Sequence, residues 1–282
     1  PPTRAEAQYW VGAPAGPSAP NPKCTCAQIH LPAPIIHVKI KAMQLMISVV
    51  NASEAREAIA AGADILDVKT PAEGSLGAPA PAVIQQIRAL TPSMVKLSAA
   101  VGDMPNLPGT AALAALGAAS CGADYVKVGL WGPQSEAEAI ALLREVRRAV
   151  SAFPNVAVIA AGYADAHRAG RLDPRLLPRI ARDAGVTGCL LDTALKDGRG
   201  LFDLLAPDVL RALAEEAHAA GLLFALAGAL QEKDLPLVRD IGADVVGVRT
   251  AACRDNQRAG PLDPERVRRL RAALAPALQA AV

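Results

Sequence analysis

The sequence predicts a single (β/α)8 TIM barrel domain preceded by a proline-rich extension. Two observations carry this prediction. Eight short β-type segments alternate with helical segments, and one short motif recurs before every second strand. An open doubly wound sheet is the alternative, and the lack of a G-x-G-x-x-G motif after the first strand weakens it. A chain of 282 residues suffices for one barrel.

The first 43 residues differ from the rest of the chain. They contain 8 of the 23 prolines and show neither strand nor helix periodicity, so we expect them to be disordered. The chain begins with proline, whereas Met43 stands directly before the first strand-like segment. Translation from Met43, with the residues upstream of it outside the native protein, is an equally good expectation. Cys24 and Cys26 lack a second cysteine pair, so they do not predict a zinc site.

From Gln44 onward, strand and helix signals alternate, which predicts a barrel domain over 44–282. Runs of aliphatic and β-branched residues predict strands at 44–50, 64–68, 94–101, 124–130, 156–161, 187–192, 222–227 and 244–248. Helical spacing of Ala, Leu, Glu and Arg predicts helices that include 53–61, 82–90, 136–150, 208–220 and 264–278. This order implies parallel strands joined by helical crossovers.

A glycine-containing motif precedes the even-numbered strands. The sequence Gly-Ala-Asp precedes strands 2, 4 and 8 with its glycine at Gly62, Gly122 and Gly242, and Gly185 holds the same place before strand 6. Each glycine is predicted to end a helix in the left-handed conformation. A motif that returns at every second strand is typical of a closed barrel built from four βαβα quarters, and an open sheet gives no reason for it.

The overall composition excludes several classes of function. The net charge of +2 gives no reason to expect nucleic acid or an anionic membrane as a partner. No apolar run reaches the roughly 18 residues that a membrane span needs. The odd, scattered set of five cysteines argues against a disulfide framework and for a reducing, cytoplasmic compartment.

Ionisable residues stand at the predicted carboxyl ends of strands 2, 4 and 6, where barrel enzymes carry their chemistry. Strand 2 ends with Asp67 and Lys69 on one face, Lys127 lies within strand 4, and strand 6 ends at Asp192 with Lys196 four residues later. Burial and neighbouring cations both lower an amine's pKa, which makes a lysine able to form a Schiff base. Structural ion pairs are the alternative, but lysines on three alternate strands favour function.

The loops after strands 7 and 8 predict a phosphate site. Gly228 ends strand 7, and Gly247 in strand 8 is followed by Arg249. Backbone N–H groups in these two loops form the usual phosphate cradle of a barrel, although such glycines also serve as simple turn formers.

Two further loops contain many turn residues. The loop 70–77, with Gly74 and Ser75, is predicted to hold a second anion. The loop 102–109 is interpreted either as a lid over the site or as an ordinary connection between a strand and a helix.

The motifs around these residues resemble those of the (5-formylfuran-3-yl)methyl phosphate synthase family, which makes the furan precursor of methanofuran. The run 67–78, DVKTPAEGSLGA, looks like the family signature. Further resemblance lies in the segments 100–103, 124–130, 160–166, 191–198 and 246–253, so that it extends from Gln44 to about Leu274. One departure is Thr70, where archaeal members are expected to have Asn.

The resemblance implies a reaction and a role for each site residue. Two molecules of glyceraldehyde 3-phosphate would condense to a phosphorylated hydroxymethyl-furaldehyde, with loss of phosphate and water and without a metal or organic cofactor. Lys69 would form the Schiff base, Lys127 would accept a proton, and Asp67, Asp192 and Lys196 would support them. The triose phosphate would be a small-molecule partner, and a homo-oligomer is compatible with the sequence.

Two other functions stay open at this point. A class I aldolase acting on a sugar phosphate would need the same Schiff-base lysine. A non-catalytic barrel that binds a phosphorylated metabolite would need only the loops. The sequence leaves open the order of chemical steps and the division of roles between Lys127 and Lys196.

Overall fold

The computed structural model describes residues 42–274. Apart from its last two positions, the predicted extension 1–43 lies outside the described residues, and so does the end of the helix predicted at 264–278. The proposals for Cys24, Cys26 and a start at Met43 are therefore not addressed by the fold.

Eight parallel strands form the barrel. They are β1 Gln44–Val49, β2 Ile65–Val68, β3 Lys96–Asp103, β4 Tyr125–Gly129, β5 Ala157–Tyr163, β6 Gly188–Asp192, β7 Leu223–Leu226 and β8 Val245–Val248. Each strand pairs with its sequence neighbours, and β1 closes the barrel against β8. The predicted (β/α)8 barrel is confirmed, and each predicted strand end lies within two residues of the observed one.

Helices follow the strands on the outside. They are α1 Ala52–Ala60, α2 Pro81–Leu90, α3 Pro108–Ser120, α4 Glu136–Ala149, α5 Leu177–Ala184, α6 Leu201–Leu204, α7 Pro207–Ala219, α8 Leu235–Ile241 and α9 Pro264–Ala273. Side-chain caps fix several starts, because Asn51 accepts from the backbone N–H of Glu54 and Ser135 from that of Glu138. Within residues 42–274, no helix has the length and apolar character needed to cross a bilayer.

The segment 102–109 is not a lid. Strand β3 continues through Asp103 and α3 begins at Pro108, which leaves four residues, 104–107, as the connection. The ordinary connection, the second of the two interpretations, is the one observed. A register shift between Ala100 and Asp103 lets β3 run further than its apolar pattern predicts.

The repeated motif before the even strands has two structural roles. Its glycines have φ values of 94°, 91°, 69° and 95° at Gly62, Gly122, Gly185 and Gly242, which confirms the left-handed helix ends. The aspartates that follow three of them reach the neighbouring strand. Asp64, Asp124 and Asp244 accept from the backbone N–H groups of Leu45, Leu97 and Phe224, at 2.8, 2.8 and 2.9 Å.

The barrel interior is layered, and the layers differ in chemistry. The layer nearer the amino ends of the strands is apolar and contains Met46, Ile65, Ile159, Leu190 and Val245, all buried. The next layer lies two residues further along each strand, on the same face. Its side chains are polar or small, and they are Ser48, Asp67, Ala161, Asp192, Ala227 and Gly247. This change of side-chain type leaves space and charge at the carboxyl end of the barrel.

Candidate active site

Asp67 lies at the centre of the polar layer. Its carboxylate is 1% exposed and accepts a hydrogen bond of 3.0 Å from the Ser48 hydroxyl of the neighbouring strand. The Nζ of Lys127 lies 2.6 Å from Oδ1 of Asp67, and the Nζ of Lys69 lies 3.8 Å from Oδ2. Burial alone would raise the pKa of Asp67, but Lys127 and Lys69 outweigh it and lower that pKa, so the carboxylate stays ionised.

Lys69 is the less well paired of the two lysines. It is 4% exposed, and its ion pair of 3.8 Å with Asp67 is longer than a hydrogen bond. Burial lowers the pKa of Lys69 from its usual value to about 8, with Lys127 and Arg258 adding to the effect and Asp67 and Asp192 opposing it. By the usual titration relation, about one Lys69 side chain in ten is a neutral amine at pH 7.

Asp192 and Lys196 form a second group at the end of β6. The Lys196 Nζ contacts the carbonyl and the hydroxyl of Thr193 and lies 3.4 Å from Oδ1 of Asp192. Burial would raise the pKa of Asp192, but the charges of Lys196 and Lys69 and the backbone N–H of Thr193 hold it well below its usual range. The five residues predicted for catalysis are thus brought together, as two linked groups.

Asp165 is a site residue that the sequence reasoning missed. It follows β5, is 1% exposed, and accepts from the backbone N–H groups of Ala194 and Leu195 at 2.8 and 2.7 Å. Those two residues lie between Asp192 and Lys196, so Asp165 fixes the backbone that presents Lys196. A single aspartate after a strand carries no local signal of that role, because its partners are about thirty positions away.

The loop after β2 differs from the prediction of a second anion site. The Ser75 hydroxyl is buried and donates to the Thr193 carbonyl at 2.8 Å, so it has no proton left for a phosphate. The Asp103 carboxylate accepts from the backbone N–H of Leu76 and packs so close to Gly74 that an added Cβ would lie 2.3 Å from Oδ2. A carboxylate in this position repels an anion at the loop.

Asp103 also contacts strand β5, which is separated from β3 only by β4. The buried hydroxyl of Tyr163, at the end of β5, donates to Oδ1 of Asp103. Gly129 lies beneath them, because a Cβ there would be 2.5 Å from the Tyr163 oxygen and 2.9 Å from Oδ1. Burial and the negative charge of Asp103 raise the pKa of Tyr163 well above its usual value, so this phenol stays protonated.

The loops after β7 and β8, where a phosphate site was predicted, contain left-handed backbone. Gly228 has φ of 104°, and Ala229 has φ of 53°, which is strained for a residue with a side chain. Asp255 and Asn256, in the loop after β8, share this left-handed conformation with φ of 53° and 54°. Gly247 differs from the prediction: it lies inside the polar layer, where a Cβ would be 2.7 Å from Met46 Cε, so its role is to leave space.

Arg249 was predicted to bind phosphate, and its guanidinium is instead committed to the protein. It pairs with both carboxylate oxygens of the buried Glu54 and also donates to the carbonyls of Ser48, Arg258 and Gly260 at 3.0–3.1 Å. Glu54 further accepts from the backbone N–H of Val50. With its donors occupied in this way, the Arg249 side chain joins the loop after β8 to the start of α1 rather than facing a ligand.

Arg258 is the cation that faces the site, and the sequence reasoning missed it. Its Nη2 is buried and finds no hydrogen-bond partner among residues 42–274. It is close enough to lower the pKa of Lys69. Arg258 lies in an irregular loop without periodicity, so no sequence pattern could have shown which way it points.

Two neighbouring spaces lie at this end of the barrel and share part of their lining. The inner pocket is lined by Asp67, Lys69, Lys127, Asp192, Gly228, Ala229, Thr250 and Arg258, among others. The outer cleft measures about 510 Å³ and is lined by Lys196, Arg199, Gly200, Gly228, Ala229, Gln231, Lys233, Thr250, Asn256 and Arg258, among others. Gly228, Ala229, Thr250 and Arg258 line both. The arrangement combines a buried amine that is partly neutral with carboxylates, a second lysine and an unpaired guanidinium.

Comparison with known proteins identifies close relatives. Residues 45–271 match the model of a family described as 4-HFC-P synthase. A (5-formylfuran-3-yl)methyl phosphate synthase of Methanocaldococcus jannaschii is 50% identical over 231 residues, which cover 81% of this chain and 98% of that protein. The enzyme of that name from Methanopyrus kandleri is 49% identical, with 82% and 99% covered.

Solved structures agree on the fold alone. Phosphoribosyl anthranilate isomerase from Thermus thermophilus has a TM-score of 0.56 at 20% identity and covers 83% of this chain and 98% of its own. The 3-hexulose-6-phosphate synthase from Salmonella typhimurium has a TM-score of 0.56 at 17% identity, with 82% and 98% covered. At such identities the likeness carries no information on activity.

Proposed function

The chain belongs to the 4-HFC-P synthase family, and we propose that it makes (5-formylfuran-3-yl)methyl phosphate from two molecules of glyceraldehyde 3-phosphate. The relatives bear the name of this product, and the site supplies groups suited to its formation. In this proposal the enzyme is a carbon–oxygen lyase of the cytoplasm that needs neither metal nor organic cofactor. Its product enters the synthesis of a methanofuran-type cofactor.

The observation that carries the proposal is the state of Lys69. A lysine buried at a strand end, with a pKa of about 8 and its nearest carboxylate 3.8 Å away, has an amine available to attack a carbonyl carbon. Water released on attack leaves an iminium ion. Asp67 and Asp192, both ionised, stabilise that positive charge.

Lys127 supports the next step. An iminium acidifies the adjacent carbon, and Lys127 stands beside Lys69 through their shared partner Asp67. In the proposal Lys127 donates its proton to the carbinolamine hydroxyl, which leaves as the water, and then, as a neutral amine, accepts the proton of that carbon, which leaves an enamine. The enamine is a carbon nucleophile that adds to the aldehyde carbon of the second triose, and phosphate and water are eliminated afterwards.

The balance of atoms fixes the rest of the reaction. Joining two triose phosphates into one phosphorylated furaldehyde requires the loss of one phosphate and two waters. Lys196, partly exposed beside Asp192, is placed to deliver the protons that these leaving groups need. The formation of an aromatic ring makes the last loss of water favourable.

The phosphate of the first triose is assigned to the boundary between the two spaces. Arg258 offers an unpaired guanidinium there, and the loop at Gly228 and Ala229 and the residue Thr250 line the same place. The proximity of Arg258 to Lys69 suits a molecule as short as a triose, whose carbonyl is on the first carbon and whose phosphate is on the third.

The test is to incubate the protein with glyceraldehyde 3-phosphate and follow two signals. A furaldehyde product gives ultraviolet absorbance that an aldol product lacks. Borohydride should trap the triose on Lys69, located by mass spectrometry, and Lys69→Ala should abolish both signals. A sugar phosphate without furan absorbance would indicate a class I aldolase instead. No adduct at Lys69 together with an active Lys69→Ala variant would disprove the mechanism.

A further inference from the structure

Two phosphorylated substrates require two anion sites, and the barrel has one fewer than its sequence suggests. The loop containing Gly74 and Ser75 faces the Asp103 carboxylate, and its hydroxyl is occupied by Thr193. Arg249 is occupied by Glu54. The boundary between the inner pocket and the outer cleft, at Arg258, can bind one phosphate. The second phosphate therefore needs cations elsewhere along the path to Lys69.

We propose that the outer cleft binds the second triose phosphate, with Arg199 and Lys233 as the side chains that hold its phosphate. This inference rests on the proposed function, because it assigns a place to the second substrate of that reaction. The cleft shares Gly228, Ala229, Thr250 and Arg258 with the lining of the inner pocket that contains Lys69, so a triose bound there would lie next to the proposed enamine.

The size of the cleft fits such a ligand. Its volume of about 510 Å³ falls within the usual range of small-molecule sites, about 300–1,000 Å³. A triose phosphate fills only part of it, which leaves room for the growing six-carbon intermediate and its departing phosphate.

The charges that line the cleft favour an anion. The cations are Lys196, Arg199, Lys233 and Arg258, against Asp203 and Asp234. Both carboxylates face the backbone, because Asp203 accepts from Gly200 N–H and Asp234 from Gln231 N–H, each at 2.8 Å. The cations thus outnumber the acids by two, and the acids are already hydrogen-bonded.

Arg199 and Lys233 are the cations that remain for the second phosphate. Lys196 contacts Asp192 and Thr193, and Arg258 is assigned to the first triose. Among the described residues, the ion pair of Arg199 is a long contact of 3.8 Å to Asp197, which Arg168 holds more tightly at 2.7 Å. Lys233 forms no ion pair with any residue in the described range 42–274. Both side chains are exposed and free to close on a ligand.

The experiment compares Arg199→Ala/Lys233→Ala with the intact protein and with Arg211→Ala. Arg211 is a partly exposed arginine on α7 that pairs with Asp208 outside the cleft, so its variant controls for the loss of positive charge. Two quantities are measured. One is the borohydride-trapped adduct of glyceraldehyde 3-phosphate at Lys69, which reports the first substrate. The other is furaldehyde formation as a function of glyceraldehyde 3-phosphate concentration.

The double variant should trap the triose as the intact protein does, while the concentration needed for half-maximal product formation rises about tenfold or more. Arg211→Ala should match the intact protein in both. An unchanged concentration dependence in the double variant would overturn the inference, and so would a loss of trapping, which would assign the cleft to the first triose. Absence of an adduct in the intact protein would instead count against the proposed function.

Discussion

Two groups of buried charges lie at the same end of this barrel and differ in how completely they are hydrogen-bonded. The Arg249 guanidinium donates to both carboxylate oxygens of Glu54 and to three backbone carbonyls. Around Lys69, the only ion pair within residues 42–274 is 3.8 Å long. Both cations are buried to a similar extent, at 6% and 4% exposed.

The completeness of hydrogen bonding distinguishes structural buried charges from functional ones. A buried cation with all its donors satisfied keeps its charge and fixes the backbone around it. A buried cation that is poorly paired has its pKa lowered, and that makes it reactive. Burial by itself does not distinguish the two kinds of cation, but matched variants of Lys69 and Arg249 do.

The largest effect is expected for Lys69→Met. Removal of the amine should lower kcat/KM for furaldehyde formation by more than about a thousandfold, since in the proposed mechanism the Schiff base forms on this amine. The folded state should lose little, because methionine fills the same space without an unpaired buried charge. Steady-state kinetics and urea unfolding measure the two effects. A variant that keeps a tenth of the activity would contradict the role of Lys69.

The matched change, Arg249→Met, should act mainly on stability, whereas Lys69→Met acts mainly on activity. It leaves Glu54 buried without its cation, so the free energy of unfolding should fall by about 3–5 kcal/mol. The double variant that adds Glu54→Gln should recover part of that loss, because the orphaned charge is gone. Urea unfolding at constant pH tests this. A loss below about 1 kcal/mol in the single variant would show that the pair is not structural.

A smaller effect is expected for Arg258→Ala. Loss of one charge-assisted contact to the first phosphate should raise the KM for glyceraldehyde 3-phosphate about tenfold or more. The pKa of Lys69 should also rise, because a neighbouring positive charge has been removed. A pH profile of the trapping rate would move to higher pH, which a purely structural role would not cause. Arg258→Lys should restore part of the binding.

The smallest expected effect is that of pH on the intact protein. Burial lowers the pKa of Lys69 to about 8, and only the neutral amine attacks a carbonyl, so the trapping rate should rise with pH. Below pH 8 it should increase about tenfold per pH unit, and it should level off above that value. A rate that stays flat from pH 6 to pH 8, or falls, would mean that the attacking amine is not held at this pKa.

The barrel and the strand ends that carry charge could be predicted from the sequence alone. Both depend on local rules: helix and strand periodicity, glycine at left-handed helix ends, and the alternation that puts Asp67 and Lys69 on one face. These rules act over a few residues, and so they could be recognised without a structure.

Which of the buried charges are paired with protein groups depends on tertiary contacts. Arg249 meets Glu54 across 195 positions of sequence, Ser75 meets Thr193 across 118, and Asp165 meets Ala194 across 29. Closure of the barrel brings these partners together, and no local pattern records it. For the same reason Arg258, in an irregular loop, became visible as the cation that faces the site only once its neighbours were known.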